Sequence, residues 1–326
     1  MKTHNLLLSL AIALASSSAL AQTKVKFSHV VADSTPKGQV ALKFKELIEA
    51  RSNGEFIVEV FPNSQLYDDT RVLEALLLGD VEFAAPSLSK LDKLTKKLQV
   101  FDLPFLFKDM DAVERFQQSP VGQELLHSVE DKGRILGLGY IHNGLKQFSA
   151  NFPIRVPADV KGKKFRIMAS DVLAAQFEQV DAIALKKPFS EVFTLLQTKA
   201  IDGQESPWSN TYSQKFYEIQ PYITVSNHGL LDYMVLTSNS FWQTLNAEQQ
   251  TLFSNAMQEA IAYGNNLAAE INERDRQTIA ESGYSEIIEL TPEEHQQWVD
   301  AMQPVWQKFE KEIGKEIIEA AKASNQ

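Results

Sequence analysis

From Asn246 to about residue 282 the chain runs without proline, and Leu252, Phe253, Met257, Ile261, Leu267 and Ile271 recur at helical spacing. Read as one helix, this segment reaches roughly 55 Å at ~1.5 Å of rise per residue. That exceeds the diameter of one domain. A chain holding such a helix either lays it across two domains or breaks it, and Gly264 is the position of weakest helical propensity at which two shorter helices would part.

The rest of the sequence leaves room for two domains. At 326 residues, 44% hydrophobic and 23% charged, the chain is long enough to bury two cores. Its first half alternates strand and helix patterns, with strands over 24–30, 55–61, 81–85 and 134–141. Thr35 and Pro36 open a helix with Val40, Phe44, Leu47 and Ile48 on one face, and Gly54 ends it; a short helix over 69–78 is closed by Gly79. The second half repeats the theme with a strand over 163–168, helices after Ser170 and Ser190, and a strand near 200–202. Thr291-Pro292-Glu293-Glu294 opens a last helical region that holds Trp298 and Trp306. Such alternation implies parallel sheets of the α/β class.

At the N-terminus, Lys2 and His4 precede an apolar stretch over 6–14 and a small-residue run ending Ala19-Leu20-Ala21. This pattern predicts a signal peptide over 1–21, cleaved before Gln22, and the apolar stretch is short for a membrane span. The chain has no cysteine, which removes disulfides, thiolate metal sites and cysteine nucleophiles together. Formal charge is −10, and loss of Lys2 with residues 1–21 makes it −11. That balance argues against nucleic-acid binding. It also means that a site for an anion must overcome the global field with local arginine and lysine.

One candidate for such a site lies in Lys163-Lys164-Phe165-Arg166-Ile167-Met168-Ala169-Ser170-Asp171-Val172-Leu173. Phe165 and Ile167 alternate with Arg166 as in a strand, so Arg166 projects to the opposite face. Ser170 is placed to cap a helix carrying Leu173, Phe177 and Val180 on one side. An arginine fork at a strand end, beside free helix N–H groups, suits a carboxylate.

Further on come Phe189-Ser190-Glu191-Val192-Phe193, Ala200-Ile201-Asp202-Gly203-Gln204-Glu205-Ser206-Pro207, Gln214-Lys215-Phe216-Tyr217-Glu218 and Ser226-Asn227-His228-Gly229. Upstream lie Lys26-Phe27-Ser28-His29-Val30-Val31, Phe61-Pro62-Asn63-Ser64-Gln65-Leu66, Gly79-Asp80-Val81-Glu82 and Phe101-Asp102-Leu103-Pro104-Phe105. In this order and spacing the set resembles the solute receptors of TRAP transporters, the DctP-type family, over essentially the whole mature chain. The resemblance implies a periplasmic receptor, read here as a monomer without a cofactor. Such a receptor captures an organic acid and hands it to a sodium-driven membrane permease. It further implies a two-domain, periplasmic-binding-protein-like α/β fold with a ligand cleft between the domains and the long helix spanning both. Domain I would take 24–143 plus 233–273, and domain II 144–232 plus 274–326.

Residue roles follow from the same resemblance. Arg166 matches the arginine that pairs bidentately with the ligand carboxylate, a task for which lysine lacks the planar fork. Lys146 stands where the family has a basic residue facing the cleft, and Phe189 matches an aromatic that packs on the ligand's carbon skeleton. Ser206 is a departure, since the family most often has asparagine after Gly-Gln-Glu; serine can still donate but reaches less far, and Asn210 from the next turn, or a bridging water, would compensate. The stretch from His29 to Gly38 resembles the dicarboxylate-type members, which makes a C4-dicarboxylate such as succinate, malate or fumarate the expected ligand. His29, Lys37, Ser87 and Lys90 are then candidates for its second carboxylate, and His228 is read as a hydrogen-bonding histidine.

The search for catalytic patterns is negative. The sequence has no Gly-x-Ser-x-Gly elbow, His-Glu-x-x-His, P-loop or Gly-x-Gly-x-x-Gly, and its six histidines lack metal-ligand spacing. Asp68-Asp69 and Glu293-Glu294 sit at helix starts, where the helix dipole accounts for them. Receptors for a sugar acid, 2-oxo acid or aromatic acid, a periplasmic enzyme on a carboxylated substrate, and a ligand-reporting subunit of a sensor remain the alternatives.

Overall fold

The computed structural model describes residues 22–130 and 133–326; the signal peptide expected over 1–21 lies outside them. The described strands are β1 (Thr23–Ser28), β2 (Phe56–Phe61), β3 (Phe83–Ala84), β4 (Ile135–Leu145), β5 (Gln147–Ala150), β6 (Lys164–Ile167), β7 (Ile183–Lys186), β8 (Gly203–Ser206), β9 (Tyr222–Val225), β10 (Leu230–Ser238) and β11 (Glu286–Glu289). They form two sheets, ordered β2-β1-β3-β10-β4 and β11-β9-β5-β8-β6-β7. Each sheet is the centre of one lobe.

Neither sheet is wholly parallel, contrary to the expectation from sequence. β1 runs parallel to β2 and β3, and β6 runs parallel to β7 and β8. The antiparallel pairings involve β4, β5 and β10, the strands that carry the chain between lobes. β4 leads out of the first sheet and β5 enters the second after Lys146 alone, while the return from β9 to β10 takes residues 226–229. A returning strand laid beside the outgoing one must run the opposite way. The two crossings touch, because Leu230 pairs with Leu145 and the Lys146 N–H donates to the Gly229 carbonyl at 2.7 Å.

Separate aromatic clusters fill the two cores. In the first lobe Phe44, Phe83 and Phe253 bring their rings within 5.0–5.9 Å of one another, from the helix Pro36–Arg51, β3 and the long helix. In the second, Phe165 and Phe177 stack at 4.9 Å, and Phe148 lies 5.1 Å from Trp298. The Trp298 indole N–H donates to the Arg155 carbonyl at 2.9 Å, so the aromatic body is buried with its polar edge satisfied. The last helix, Lys315–Ala323, returns to the first lobe, packing on the helix Met110–Gln118. There Arg115 donates to the Ser324 carbonyl.

The long helix is continuous over Ala247–Ser282. Asn246 and Gln249 form a reciprocal capping box at its start, and Gly283, with φ of 70°, ends it. It packs on the helix Pro36–Arg51 and on β4 in the first lobe, and on the helix Trp208–Ser213 in the second. Gly264 is not a break. A Cβ there would stand 2.2 Å from Val40 Cγ2 and 3.1 Å from the Pro36 carbonyl oxygen, so glycine is required for close helix–helix approach. Three amides seven residues apart run along the edge strand β4. Gln258 donates to the Leu138 carbonyl at 2.7 Å, Asn265 accepts from the His142 N–H at 2.8 Å and donates to Tyr140, and Asn272 donates to the Asn143 carbonyl at 2.6 Å.

Two local expectations shift. The helix expected from residue 69 begins at Val72, because Asp68 folds the preceding residues into a turn by accepting from the Thr70 and Arg71 N–H groups. The strand expected near 200–202 falls at β8 instead, since Lys199 takes a left-handed φ of 59° and folds the chain back after the helix Val192–Gln197.

Gly264→Ala is expected to lower the unfolding free energy by about 1–3 kcal/mol, although alanine is the better helix former. A lower urea midpoint would register the clash; an unchanged or raised midpoint would mean that the two helices can part to admit a methyl group.

Candidate functional site

A small cavity lies between the lobes, beyond the carboxyl ends of strands from both sheets. The first lobe supplies Val30, Val31, Asp69, Ser87 and Tyr233; the second supplies Arg166, Met168, Phe189, Glu205, Ser206 and Asn210. Two roomier clefts flank the long helix and share Glu114, His142 and Asn265. They are lined mainly by amide and apolar groups, with no lysine or arginine, whereas the smaller cavity has the arginine in its wall.

Arg166 reaches the cavity from β6, the strand between β7 and β8. Its guanidinium is buried. Nε donates to the Lys187 carbonyl at 2.9 Å, the group lies 5.7 Å from the centre of the Phe189 ring, and Nη2 has no partner among the described residues. Burial pulls its pKa down to about 10, against the opposing pull of Asp69 and Glu205, so it remains charged at neutral pH. The helix start expected to share its anion is already occupied. Ser170 does cap the helix Asp171–Gln179, accepting from the Leu173 N–H at 3.3 Å, but its hydroxyl donates to Asp102 at 2.7 Å. The protein's own carboxylate therefore stands there.

Lys146 is also committed elsewhere. It sits at the first crossing between lobes, and its ammonium bonds Glu205 Oε1 at 2.8 Å, with both side chains 1% exposed. Glu205 Oε2 bonds His228 Nε2 at 2.8 Å, His228 Nδ1 meets the Ser226 hydroxyl at 2.7 Å, and the imidazole stacks on Phe148 at 3.8 Å. Burial opposes ionisation of Glu205, but the Lys146 ammonium and the His228 bond outweigh it and hold the carboxyl at about 2. Burial pulls His228 below its ordinary value. Lys146, expected to face the ligand, is instead the counter-ion of Glu205, the member of this cluster that lines the cavity.

In the first lobe, Lys37 is fully buried. Its ammonium bonds the Ala85 carbonyl at 3.0 Å and lies 3.5 Å from the centre of the Tyr233 ring. Burial lowers it to about 7, with Asp69 pulling the other way. The phenol oxygen of Tyr233 accepts from Asn143 at 3.1 Å and Asn210 at 3.4 Å. With both donors in place, its own O–H is left to donate. Burial raises the phenol, keeping it neutral. Burial also lowers Lys90, whose nearest charged influences are Asp69 and Arg166. His29 is not a cation for the ligand. Burial and the Lys37 charge hold its pKa at about 3, and neither ring nitrogen has a hydrogen-bond partner among the described residues.

Of the candidates from sequence, Arg166, Phe189, Ser87, Ser206 and Asn210 meet at the cavity, while Lys146, His29, Lys37 and Lys90 stand behind its wall. The Ser206 hydroxyl, expected as a donor to the ligand, here donates to Gln204 Oε1 at 2.7 Å. Asn210, from the helix Trp208–Ser213, presents the amide instead. Sequence reasoning missed Asp69 and Tyr233. Asp69 had a usable signal, since one carboxylate suffices for the turn and Asp68 makes it. Tyr233 had none, because every residue of β10 is buried and no period marks a face.

Two α/β lobes joined by closely spaced crossings over a buried, arginine-bearing cavity have the architecture of a solute receptor. The chain belongs to the bacterial extracellular solute-binding proteins of family 7, the DctP family, whose model matches residues 27–312. It is 64% identical over 306 residues to the C4-dicarboxylate-binding periplasmic protein DctP of Shewanella loihica, covering 94% of this chain and 91% of that one. A TRAP periplasmic solute-binding protein from Shewanella oneidensis, solved with bound succinate, superposes with a TM-score of 0.93 at 63% identity, covering 94% of this chain and 100% of the other. One from Pseudomonas aeruginosa, solved with bound L-malate, gives 0.85 at 44% identity over 87% and 99% of the two chains.

Two predictions follow from the buried charges. Glu205→Gln leaves the Lys146 ammonium buried without its counter-ion and is expected to cost about 3–5 kcal/mol of stability; a denaturant midpoint close to that of the parent would refute this. For His29, the folded value of about 3 lies below the ordinary 6.5 of the unfolded chain. Below pH 6.5 the unfolded chain therefore binds a proton that the folded chain refuses. The stability is full above 6.5 and is lost as pH falls toward 3. Urea unfolding at pH 7 and pH 4.5 should show this loss, and His29→Gln should make the pH-dependence shallower; an equal slope in both proteins would clear His29.

Proposed function

We propose that this protein is the periplasmic receptor of a TRAP transporter, that it binds a C4-dicarboxylate between its lobes, and that it delivers the acid to the membrane permease. The observation that carries the ligand class is Arg166, a buried guanidinium in the cavity wall whose Nη2 has no partner among the described residues. An unpaired buried donor of this strength is costly unless an anion completes it. Tyr233 O–H, Ser87 and the Asn210 amide add neutral donors around it, and Lys37 and Lys90 add positive field from behind. The relatives named for C4-dicarboxylate binding, and the structures solved with succinate and L-malate, support the same class.

An enzymatic reading meets a specific obstacle. Ser226, His228 and Glu205 are linked in the order of a nucleophile, base and acid, but only the acid lines the cavity, and Lys146 competes for it. A nucleophile must reach the substrate, and Ser226 is 1% exposed on the far side of the imidazole. A ligand held by groups of both lobes favours the closed arrangement over the open one. That difference in affinity is the most by which it can shift the equilibrium.

Arg166→Ala is expected to weaken binding by about 2–5 kcal/mol, read by titration calorimetry. In thermal-shift assays of the parent, succinate and malate should raise the melting temperature more than butyrate, which lacks the second carboxylate. Near-parental affinity in the variant would remove Arg166 from the site; equal shifts with all three acids would reject the dicarboxylate assignment.

A further inference from the structure

The cavity wall contains a group that a simple dicarboxylate leaves unmatched. Asp69 is 6% exposed and lines the cavity from the turn before the helix Val72–Leu78. The turn itself is made by its neighbour, Asp68, which accepts from the Thr70 and Arg71 N–H groups at 2.8 and 3.1 Å. Asp69 is thus not needed as a cap. Among the described residues its carboxylate receives no hydrogen bond and has no lysine or arginine nitrogen within ion-pair distance. Glu205, the other carboxylate in the wall, is bonded on both oxygens by Lys146 and His228, so Asp69 is the carboxylate left open.

Ser206 also lines the cavity, with its O–H donated to Gln204; Arg166, Tyr233, Ser87 and Asn210 have donors to offer, which is what the carboxylates of a ligand require. A second acceptor carboxylate beside them repels an anion and costs affinity unless the ligand presents a donor to it. At neutral pH an unsubstituted C4-dicarboxylate has no donor. An ammonium group would supply one, but Arg166, Lys37 and Lys90 all act electrostatically on this same aspartate, and a further cation among them is disfavoured. A hydroxyl is neutral, small and able to donate.

We infer that Asp69 is a specificity-determining residue that accepts a hydrogen bond from a hydroxyl carried between the two carboxylates, so that the receptor prefers a 2-hydroxy C4-dicarboxylate to the unsubstituted acid. This rests on the dicarboxylate reading above. Succinate still binds, through the donors, but leaves Asp69 unsatisfied.

The test is titration calorimetry with L-malate, succinate and L-aspartate on the parent protein, Asp69→Ala and Asp69→Asn, with thermal unfolding of each variant as the control for folding. The parent should bind malate about tenfold more tightly than succinate, the scale of one hydrogen bond to a charged acceptor, and aspartate more weakly than either. Asp69→Ala should bring malate and succinate within about twofold of each other, chiefly by tightening succinate as the like charge is removed. Asp69→Asn keeps a neutral acceptor and should retain a malate preference. Asp69→Leu, which also lacks the acceptor, stands in for the alanine variant if that one does not fold. The inference is overturned if the malate-to-succinate ratio is the same in the parent and a folded Asp69 variant lacking the acceptor, or if both acids tighten by one common factor. Either result would make Asp69 a counter-ion only. It is overturned too if aspartate is the preferred ligand of the parent. Failure of the parent to bind any of the three acids would bring down the dicarboxylate reading, and this inference with it.

Discussion

The Lys146–Glu205–His228 cluster is the contact on which the site depends. Its three members come from the junction of β4 and β5, the end of β8, and the junction of β9 and β10. Two of these are the crossings between lobes, so one buried carboxylate binds both. Its charge is set by burial and by an ammonium at 2.8 Å rather than by solvent. A buried ion pair is weak evidence for net stability but strong evidence for a fixed arrangement, since removing one partner strands the other. Here the arrangement fixed is the cavity wall at Glu205 together with the two crossings between lobes.

With Glu205 neutralised, the local charge is decided by the groups left over. Arg166 stays charged, burial lowers Lys37 to about 7 and Lys90 below its ordinary value, and Asp69 opposes all three shifts. The excess is modest and positive inside a chain whose overall formal charge is −10. Burial in low dielectric is what allows so few groups to outweigh that background. The same burial explains why His29 and Lys37, which look like ligand cations in the sequence, do other work. His29 is held neutral and Lys37 rests on the Tyr233 ring, stiffening the wall without entering the cavity.

Much of this frame was legible in advance. The periodicity from Leu252 to Ile271 located the long helix to within a residue of each end, and Thr35, Ser170 and Thr291 were read as caps that the structure places as caps. Periodicity could not reveal the antiparallel crossings, because β10 is buried along its whole length and β4 alternates only over its first residues. Arg166 was legible as a lone arginine between apolar neighbours, and the role proposed for it is the one the family resemblance implies. Partner choice was not. Nothing in the residues around Lys146 says that it will meet Glu205, 59 positions away, or that Ser206 will turn its hydroxyl to Gln204. Gly264 shows the same limit, since propensity marks a weak point and only the packed neighbour, Val40, shows why glycine stands there.

The amides that the long helix lays along β4 have a consequence beyond holding the lobes. β4 is the outermost strand of its sheet, and such a strand offers open backbone groups to any other extended chain. Gln258, Asn265 and Asn272 occupy those groups at Leu138, Tyr140, His142 and Asn143. The helix thereby does the work of a neighbouring strand while offering no backbone edge of its own. A periplasmic protein that has no disulfides is thus shielded against strand-to-strand aggregation along the margin of its sheet that also passes from one lobe to the other.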